Sequence, residues 1–243
     1  MEKIIIFTDG SSRGNPGPGG WGAIVVWGLE LKASGEGKIA EIGGREALTT
    51  NNRMEMKAVI EALSYLSAKH EALSSKLLIY CDSSYVINGA TKWAKGWKEN
   101  GWMTKAKGEV SNKDLWEEII TLTEKFNIEW KQIEGHAGII GNERCDEIAT
   151  SFADDTGIDL YNGSFENYKL DILSLAPSEA LKKKSKSNSA KAYSYISLVD
   201  GKILIHKTWR ECEARVKGKS GVRFKKSLSS ADEAKIIEEF SNS

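Results

Sequence analysis

Two short apolar runs near the amino terminus, separated by a segment dense in Gly and Pro, constrain the fold most. Lys3 to Asp9 is rich in Ile, and Gly22 to Leu31 is rich in Val, Ile and Trp, so their length and composition predict two strands. The segment between them, Ser11 to Gly20, holds four glycines and two prolines, which is typical of a turn rather than of a helix or strand. We therefore expect the chain to begin with a hairpin.

Beyond this hairpin, helical and strand patterns alternate. Apolar residues recur at helical spacing in three segments and form short strand-like runs in two others. The helices are predicted over Met54 to Lys69, Lys113 to Phe126 and Asn142 to Ala153, and the strands over Leu77 to Cys81 and Ile128 to Ile133. Antiparallel strands followed by strand and helix alternation indicate a mixed α/β domain.

The carboxy-terminal quarter predicts a second, smaller domain. The pattern weakens after about residue 155, and Lys182 to Ala190 is poor in apolar residues, as expected of a flexible linker. A hairpin signature with a D-G turn and two helical segments follow. We predict a domain over 1–155, a linker over 156–189 and a domain over 190–243, the last built from Tyr193 to Val199, Lys202 to Ile205, Trp209 to Lys217 and Ala231 to Phe240.

Charge and cysteine content narrow the class of protein. The formal net charge is zero, but residues 182–226 hold fourteen Lys and Arg against three acidic residues. That asymmetry favours a nucleic-acid-binding appendage on a mildly acidic body, although for 182–191 alone a solvated basic linker is the preferred interpretation. Three widely spaced cysteines, the lack of a secretory signal and the lack of a long apolar run predict a cytoplasmic protein outside membranes, and we expect a monomer.

Three acidic residues lie at positions where apolar side chains are expected or where an apolar strand ends. Asp9 and Asp82 each end a predicted strand, and Glu55 lies on the apolar face of the first predicted helix, four residues before Val59. Singly, each is explained by a strand-end turn or a helix N-terminal charge. Because no matching set of Lys or Arg accompanies the three, a divalent cation is the more economical partner, and oxygen ligands favour Mg2+ or Mn2+.

Four sequence blocks together resemble type 1 ribonuclease H in order and spacing, over residues 1 to about 155. The blocks are F-T-D-G-S-S-R-G-N-P-G-P-G-G-W-G (Phe7 to Gly22), T-T-N-N-R-M-E-M (Thr49 to Met56), Y-C-D-S-S-Y-V (Tyr80 to Val86) and E-G-H-A-G-I-I-G-N-E-R-C-D-E-I-A (Glu134 to Ala149). The resemblance implies the ribonuclease H-like fold, a mixed five-stranded sheet with flanking helices.

The same resemblance implies the chemistry. Asp9, Glu55, Asp82 and Asp146 would bind two Mg2+ ions, with Mn2+ as an alternative, and His136 would assist on a neighbouring loop. The expected activity is hydrolysis of the RNA strand of RNA:DNA hybrids, leaving 5'-phosphate and 3'-hydroxyl ends. The alternative from a different class is a hybrid- or double-stranded-RNA-binding protein with a relic nuclease fold.

The resemblance also implies substrate contacts in the first domain. Asn15, Asn51 and Asn52 would reach the minor groove of the hybrid, and Thr50 would lie near a DNA phosphate. Turn chemistry for Asn15 and helix capping for Asn51 and Asn52 remain open. The stretch Thr91 to Lys107 interleaves Lys with Trp93, Trp97 and Trp102, like the basic protrusion of the family. We expect Trp93 to be partly structural and Trp97 to be the more exposed, although the tryptophans could simply pack on one another.

The last 50 residues resemble a second module, the small α/β hybrid-binding domain shared with viroplasmin-like proteins. T-W-R-E-C (Thr208 to Cys212), V-K-G-K-S-G-V-R-F-K-K (Val216 to Lys226) and D-E-A (Asp232 to Ala234) carry this resemblance. It implies that Trp209 and Phe224 meet the DNA strand and that Lys225 and Lys226 meet its phosphates. Trp209, Cys212 and Val216 also lie at helical spacing, so some of them are expected to form a small core.

Overall fold

The computed structural model describes residues 3–29, 37–68, 74–104, 107–175, 192–199, 201–217, 219 and 222–241. The chain divides into a first unit over residues 1–182 and a second unit over 183–243. Lys105, the predicted linker after residue 175 and Asp200 of the D-G turn lie outside the described residues. Within the described part, no helix is long and apolar enough to cross a membrane.

A mixed six-stranded sheet forms the centre of the first unit. Its strands run in the order β5-β4-β1-β2-β3-β6, with β1 parallel to β4 and antiparallel to β2. The mixed sheet of the ribonuclease H-like fold is therefore confirmed, with a short sixth strand added at one edge. The strands are β1 (Lys3–Ser12), β2 (Gly17–Trp27), β3 (Lys38–Thr49), β4 (Lys76–Cys81), β5 (Asn127–Gln132) and β6 (Asn162–Ser164).

The predicted turn over Ser11 to Gly20 is wrong at both of its ends. Ser12 still pairs with Gly19, so the turn itself covers only 13–16. Glycine is present in β2 because a helix packs directly on that strand. A Cβ atom on Gly20, inside the predicted turn, would lie 2.2 Å from the carbonyl oxygen of Ala149, closer than real Cβ atoms come. Composition alone could not separate this packing requirement from a turn.

Strand β3 was not predicted from the pattern. Ile39, Ala40 and Glu41 are buried consecutively, so the strand lacks the regular alternation that marks a half-buried strand. Two adjacent glycines, Gly43 and Gly44, further weaken its strand signal. Its long antiparallel pairing with β2 nevertheless places it firmly in the sheet.

Helices cover both faces of this sheet. One face packs against α1 and α4 through a core that contains Ile6, Leu63, Ile79 and Trp116. The other face packs against α5, with Phe7, Ile24 and Cys145 among the buried residues. The helices are α1 (Asn51–Ser67), α2 (Ser84–Asn88), α3 (Ala94–Glu99), α4 (Lys113–Thr123) and α5 (Ile140–Asp154), and one π-helical turn, Gly89–Trp93, joins α2 to α3.

The beginning of the predicted linker is structured. Strand β6 pairs with β3, the 3-10 turn Phe165–Asn167 follows it, and Ile172 is fully buried among core residues of the first unit. The side chain of Glu41 accepts hydrogen bonds from the backbone N–H of Tyr161 and from the hydroxyl of Tyr168. Residues 161–172 are therefore packed on the sheet rather than extended away from it.

The second unit is a three-stranded antiparallel sheet with one helix on each face. The sheet order is β8-β7-β9. Cys212 and Val216 pack against Val199 on one face, and Ile236 and Phe240 pack against Ile196 on the other. The small core expected of Cys212 and Val216 is thus confirmed. Its elements are β7 (Ser194–Val199), β8 (Lys202–His206), α6 (Trp209–Val216), β9 (Arg223–Ser227) and α7 (Ser230–Ser241).

Candidate active site

Four carboxylates lie together at the carboxyl ends of the two neighbouring strands β1 and β4 of the large sheet. Asp9 lies near the end of β1, and Asp82 directly follows β4, the parallel neighbour of β1. Glu55 lies in the second turn of α1, and Asp146 lies in α5 on the other side of the sheet. Strand ends and two helices that pack on opposite faces thus deliver the four acids that the sequence predicted.

Close backbone packing brings Glu55 to Asp9. A Cβ atom on Gly10 would lie 2.2 Å from the backbone nitrogen of Glu55, so only glycine lets α1 approach β1 this closely. Asp9 precedes this contact and is only 5% exposed, while Glu55 is 6% exposed. The two carboxylates are therefore held in a buried position by the fold itself.

Neighbouring polar groups donate hydrogen bonds to all four carboxylates, and one oxygen lacks a partner. Three of the donors are amides, and the fourth is the Thr150 hydroxyl, which donates to Asp146 Oδ1 at 3.5 Å. The backbone N–H of Gly10 donates to Asp9 at 2.7 Å, the Asn51 amide donates to Glu55 Oε1 at 3.3 Å, and the Asn142 amide donates to Asp82 Oδ2 at 3.3 Å. Among the described residues, Glu55 Oε2 is buried without a hydrogen-bond partner.

Burial and mutual repulsion disfavour the charged forms of these acids. Burial raises the pKa of Asp9 to about 8, with further contributions from the charges of Asp82, Asp146 and Glu143. Burial, followed by the charges of Asp9 and Asp82, also raises the pKa of Glu55 well above its ordinary value. Such a cluster is stabilised when a cation replaces the protons.

His136 lies on the loop before α5, exposed and with a left-handed backbone (φ 54°). One ring nitrogen and carboxylate oxygens of Glu143 and Asp146 all lie within 4.8 Å of one another. Glu143 also accepts a hydrogen bond from the backbone N–H of Gly138 at 3.2 Å, which ties the loop to the helix. Sequence reasoning missed Glu143 and Asn142. The helical spacing of Glu143 three residues before Asp146 could have indicated the first of them.

The four predicted polar contact residues of the first unit lie at the same end of the sheet. Gly17 pairs with Thr49, so the turn that carries Asn15 lies near the start of α1. Thr50 is the N-cap of α1, where its hydroxyl accepts from the N–H of Arg53 at 3.4 Å. Asn51 and Asn52 are the first residues of the helix and are exposed. Capping is thus performed by Thr50, which leaves the two asparagine side chains on the surface.

The prediction for the tryptophans of the protrusion is wrong in its order of exposure. Trp93 is 39% exposed, whereas Trp97 is half-buried and packs edge-to-face on Trp116 with ring centroids 5.9 Å apart. Trp93 in turn packs on Trp97 at 5.6 Å, and Trp102 is buried. The spacing alone did not show that Trp116, from a distant helix, fills the space beside Trp97.

In the second unit, strand alternation separates the four predicted contact residues. Trp209 and Phe224 are 40% and 47% exposed and pack on each other with ring centroids 5.3 Å apart and ring planes tilted by 52°. Lys226 lies on the same face of β9 as Phe224. Lys225 lies on the opposite face, where its ammonium group contacts both carboxylate oxygens of Glu239 at 2.8 Å. Three of the four residues therefore share a surface, and Lys225 does not.

Known proteins resemble the first unit in sequence and in fold. Ribonuclease H from Francisella tularensis subsp. novicida is 48% identical over 148 residues, which is 61% of this chain and 89% of that protein. Ribonuclease H from Francisella philomiragia is 47% identical over the same length. The crystal structure of LC9-RNase H1, a type 1 RNase H with the type 2 active-site motif, covers 74% of this chain and 90% of its own, with 27% identity and a TM-score of 0.60. The RNase H family model matches residues 1–154, and the chain therefore belongs to the RNase H family.

Proposed function

We propose that the first unit hydrolyses the RNA strand of RNA:DNA hybrids as an endonuclease, leaving 5'-phosphate and 3'-hydroxyl ends. The observation that carries this proposal is the cluster of Asp9, Glu55, Asp82 and Asp146, because four acids at one sheet edge have no purpose in packing and oppose one another. Membership of the RNase H family fits this reading.

The residues present suit a divalent metal. Glu55 Oε2 is a buried oxygen without a partner among the described residues, and the raised pKa values of Asp9 and Glu55 mark charge that a cation would neutralise. A set of four carboxylates favours Mg2+, with Mn2+ as the alternative. Bound between Asp9, Glu55, Asp82 and Asp146, two such ions would supply an activated water and stabilise the leaving oxygen.

The protein groups around this cluster have separable roles. Asn51 and Asn142 fix the orientation of the Glu55 and Asp82 carboxylates through the hydrogen bonds described above. His136, exposed beside Asp146, would transfer a proton near the leaving group, a role that imidazole serves in many enzymes. Because the imidazole lies at the rim, it assists turnover but does not hold the cluster together.

Substrate recognition by the first unit follows from the exposed groups at the same sheet end. Asn15, Asn51 and Asn52 offer donors and acceptors to 2'-hydroxyl groups, and Thr50 offers its hydroxyl to a DNA phosphate. Trp93 is the better exposed indole of the protrusion and packs on a sugar or base, whereas Trp97 acts mainly by supporting Trp93.

The second unit acts as a hybrid-binding module. The exposed pair Trp209 and Phe224 forms a stacking platform, with Lys226 beside it for phosphate. Lys225 contributes little, because it is paired with Glu239 on the other face. Tethered to the catalytic unit, such a module raises the effective concentration of hybrid at the active site.

A comparison of the two lysines tests this module. In the full chain carrying Asp9→Asn, Lys226→Ala should flatten the slope of log K against log salt by about 1, and Lys225→Ala should change it less. Equal slopes for both variants and the parent would show that neither lysine meets phosphate. Removing residues 190–243 should raise KM on long hybrids and leave kcat on short hybrids nearly unchanged.

We further infer a monomer in a reducing cytoplasm. The three cysteines, Cys81, Cys145 and Cys212, are all buried and unpaired with one another. Buried free thiols suit a compartment in which disulfides do not persist. Analytical ultracentrifugation at micromolar concentration is the direct measurement of the monomeric state.

Matched substrates provide the decisive test of the activity. Hybrid, double-stranded RNA and double-stranded DNA of one sequence are incubated with the protein and Mg2+, and only the RNA strand of the hybrid should be cut. Asp9→Asn should abolish cleavage and retain hybrid binding. Asp155→Asn is the matched control, since it changes an exposed carboxylate at the far end of α5, in a left-handed conformation that Asn tolerates. Binding without cleavage by the parent protein would instead support the relic-fold alternative.

A further inference from the structure

Cys81 lies directly beneath the carboxylate cluster. It is the last residue of β4, is fully buried, and faces the same side of the sheet as α1. Its Sγ atom, one carboxylate oxygen of Glu55 and one of Asp82 all lie within 4.8 Å of one another. The proposed cleavage chemistry uses the two carboxylates but gives no role to this thiol.

One buried oxygen beside this thiol lacks a partner. Glu55 Oε2 has no hydrogen-bond partner in the described part of the chain, and Glu55 is only 6% exposed. Unsatisfied buried polar atoms are rare and point to a ligand that completes them.

The three ligand atoms combine hard and soft character. Carboxylates alone favour Mg2+ and Mn2+, whereas a thiolate favours Zn2+ and softer ions such as Cd2+. In tetrahedral zinc sites the metal–sulfur bond is about 2.3 Å and the metal–oxygen bonds are about 2.0–2.2 Å, so two ligand atoms on one ion lie about 3.3–3.7 Å apart. The ligand atoms around Cys81, which lie within 4.8 Å of one another, would therefore each have to move by less than about 1 Å to match.

We propose that Glu55, Cys81 and Asp82 form a binding site for a thiophilic divalent cation, Zn2+ or Cd2+, which excludes the hard cation and stops cleavage. On binding, the S–H bond of Cys81 breaks, its proton passes to solvent, and the sulfur electron pair forms the bond to the metal. No change of oxidation state is involved. The binding itself does not depend on the nuclease activity, whereas the inhibition rests on the proposed function.

Cadmium binding to the full chain tests the site without substrate. The metal-free protein, kept reduced with a phosphine, is titrated with CdCl2 and the thiolate-to-cadmium charge-transfer absorption in the ultraviolet is recorded. We expect the absorption in the parent protein, its loss in Cys81→Ser and Cys81→Ala, and its retention in the control Cys212→Ser, which removes a buried thiol from the second unit. Absorption that persists in Cys81→Ser would overturn the proposal.

A second variant distinguishes loss of the metal site from misfolding caused by a substitution at Cys81. Cys145→Ala combined with Cys212→Ser leaves Cys81 as the sole cysteine and does not alter the site. This variant must keep the charge-transfer absorption, and its loss with an intact circular dichroism spectrum would refute the assignment. The parent protein without any such absorption would refute it as well.

Inhibition is measured separately at a fixed Mg2+ concentration. Each protein is compared with its own rate without added cadmium or zinc. The half-inhibitory concentration of Cd2+ should rise at least about tenfold in Cys81→Ser, since loss of even an outer partner of a metal site costs 10- to 100-fold in affinity. Normal charge transfer without inhibition would confirm the metal site and contradict its overlap with the active site, while an inactive parent protein with normal charge transfer would count against the proposed function alone.

Discussion

Replacing Arg144 with Met should destabilise the first unit by about 3 kcal/mol at neutral pH. The Arg144 guanidinium donates from Nε to Glu41 Oε1 and from Nη2 to Glu41 Oε2, both at 2.8 Å. The Glu41 side chain is only 1% exposed, and that of Arg144 is 15% exposed. Tyr161 and Tyr168, from the segment after α5, complete the bonding of the same carboxylate. The ion pair thus joins β3, α5 and that segment.

The magnitude follows from what remains when the guanidinium is lost. Removing one partner of a buried ion pair costs about 3–5 kcal/mol, because a charge stays buried without compensation. Two hydrogen bonds to Glu41 persist, so the lower end of this range applies. Met fills much of the volume of the Arg stem, which limits the added effect of a cavity.

The effect should depend on pH with a defined sign. Burial by itself raises the pKa of Glu41, but the hydrogen bonds from Arg144, Tyr168 and Tyr161 together hold it below its ordinary value. A lowered folded-state pKa stabilises the protein above the unfolded pKa, and this contribution is lost as the pH falls through the folded value. In Arg144→Met, burial is no longer offset by Arg144, so the Glu41 carboxyl takes up a proton at a higher pH than in the parent protein, and below about 4.5 the parent protein loses its own contribution. The destabilisation should therefore shrink as the pH falls.

Amide hydrogen exchange of β1 and β4 in the full chain is the suitable assay, because two units do not define a single unfolding transition. Arg144→Met combined with Glu41→Gln is the control and should recover most of the loss, since no charge remains buried. A loss below about 1 kcal/mol, the value of an exposed ion pair, would refute the reasoning. So would a double variant as unstable as Arg144→Met alone.

Three further outcomes are expected. His136→Ala should slow turnover by about a hundredfold without abolishing it; complete inactivity with an intact fold would assign His136 a larger role. Without divalent cations, the free energy of unfolding should fall by up to about 1.4 kcal/mol for each unit by which the pH rises from about 4 to about 8, because folded Asp9 keeps a proton that the unfolded chain has lost. Asp9→Asn should flatten this slope in the same exchange measurement. A chain that ends at residue 175 should have a higher Tm than one that ends at 155, since burial of Ile172 alone contributes about 2 kcal/mol, and equal Tm values would show that the segment adds nothing.

Three of the four candidate carboxylates could be predicted because their positions conflict with the local pattern, whereas Asp146 was implied only by the family resemblance. Asp9 ends the apolar run of β1, Asp82 follows β4, and Glu55 interrupts the apolar face of α1, so each one stood out against its surroundings. The helices α1, α4 and α5 could be predicted because each of them carries a regular apolar stripe. Local periodicity is sufficient to predict the position of a residue wherever a single helix or strand determines that position.

Features that depend on two distant elements could not be predicted in this way. The partnership of Glu41 with Arg144 joins residues 103 positions apart, and in the sequence Glu41 is one more acid among many. Trp97 is covered by Trp116 from another helix, and Gly20 lies in a strand rather than in the predicted turn, at a point where α5 packs so closely that a side chain would not fit. Lys225 and Lys226 are adjacent in sequence, yet alternation along β9 places them on opposite faces.

Packing within the first unit places the four acids side by side. Gly10 lets α1 approach β1, and the Glu41–Arg144 pair fixes α5 against β3, so packing rather than a ligand determines the spacing. Burial, together with repulsion from Asp82 and Asp146, raises the pKa of Asp9 to about 8. Near neutral pH a cation must therefore displace a proton from this cluster, and its affinity rises with pH until Asp9 has ionised. The same arrangement that lowers the stability of the metal-free protein thus supplies part of the free energy of metal binding.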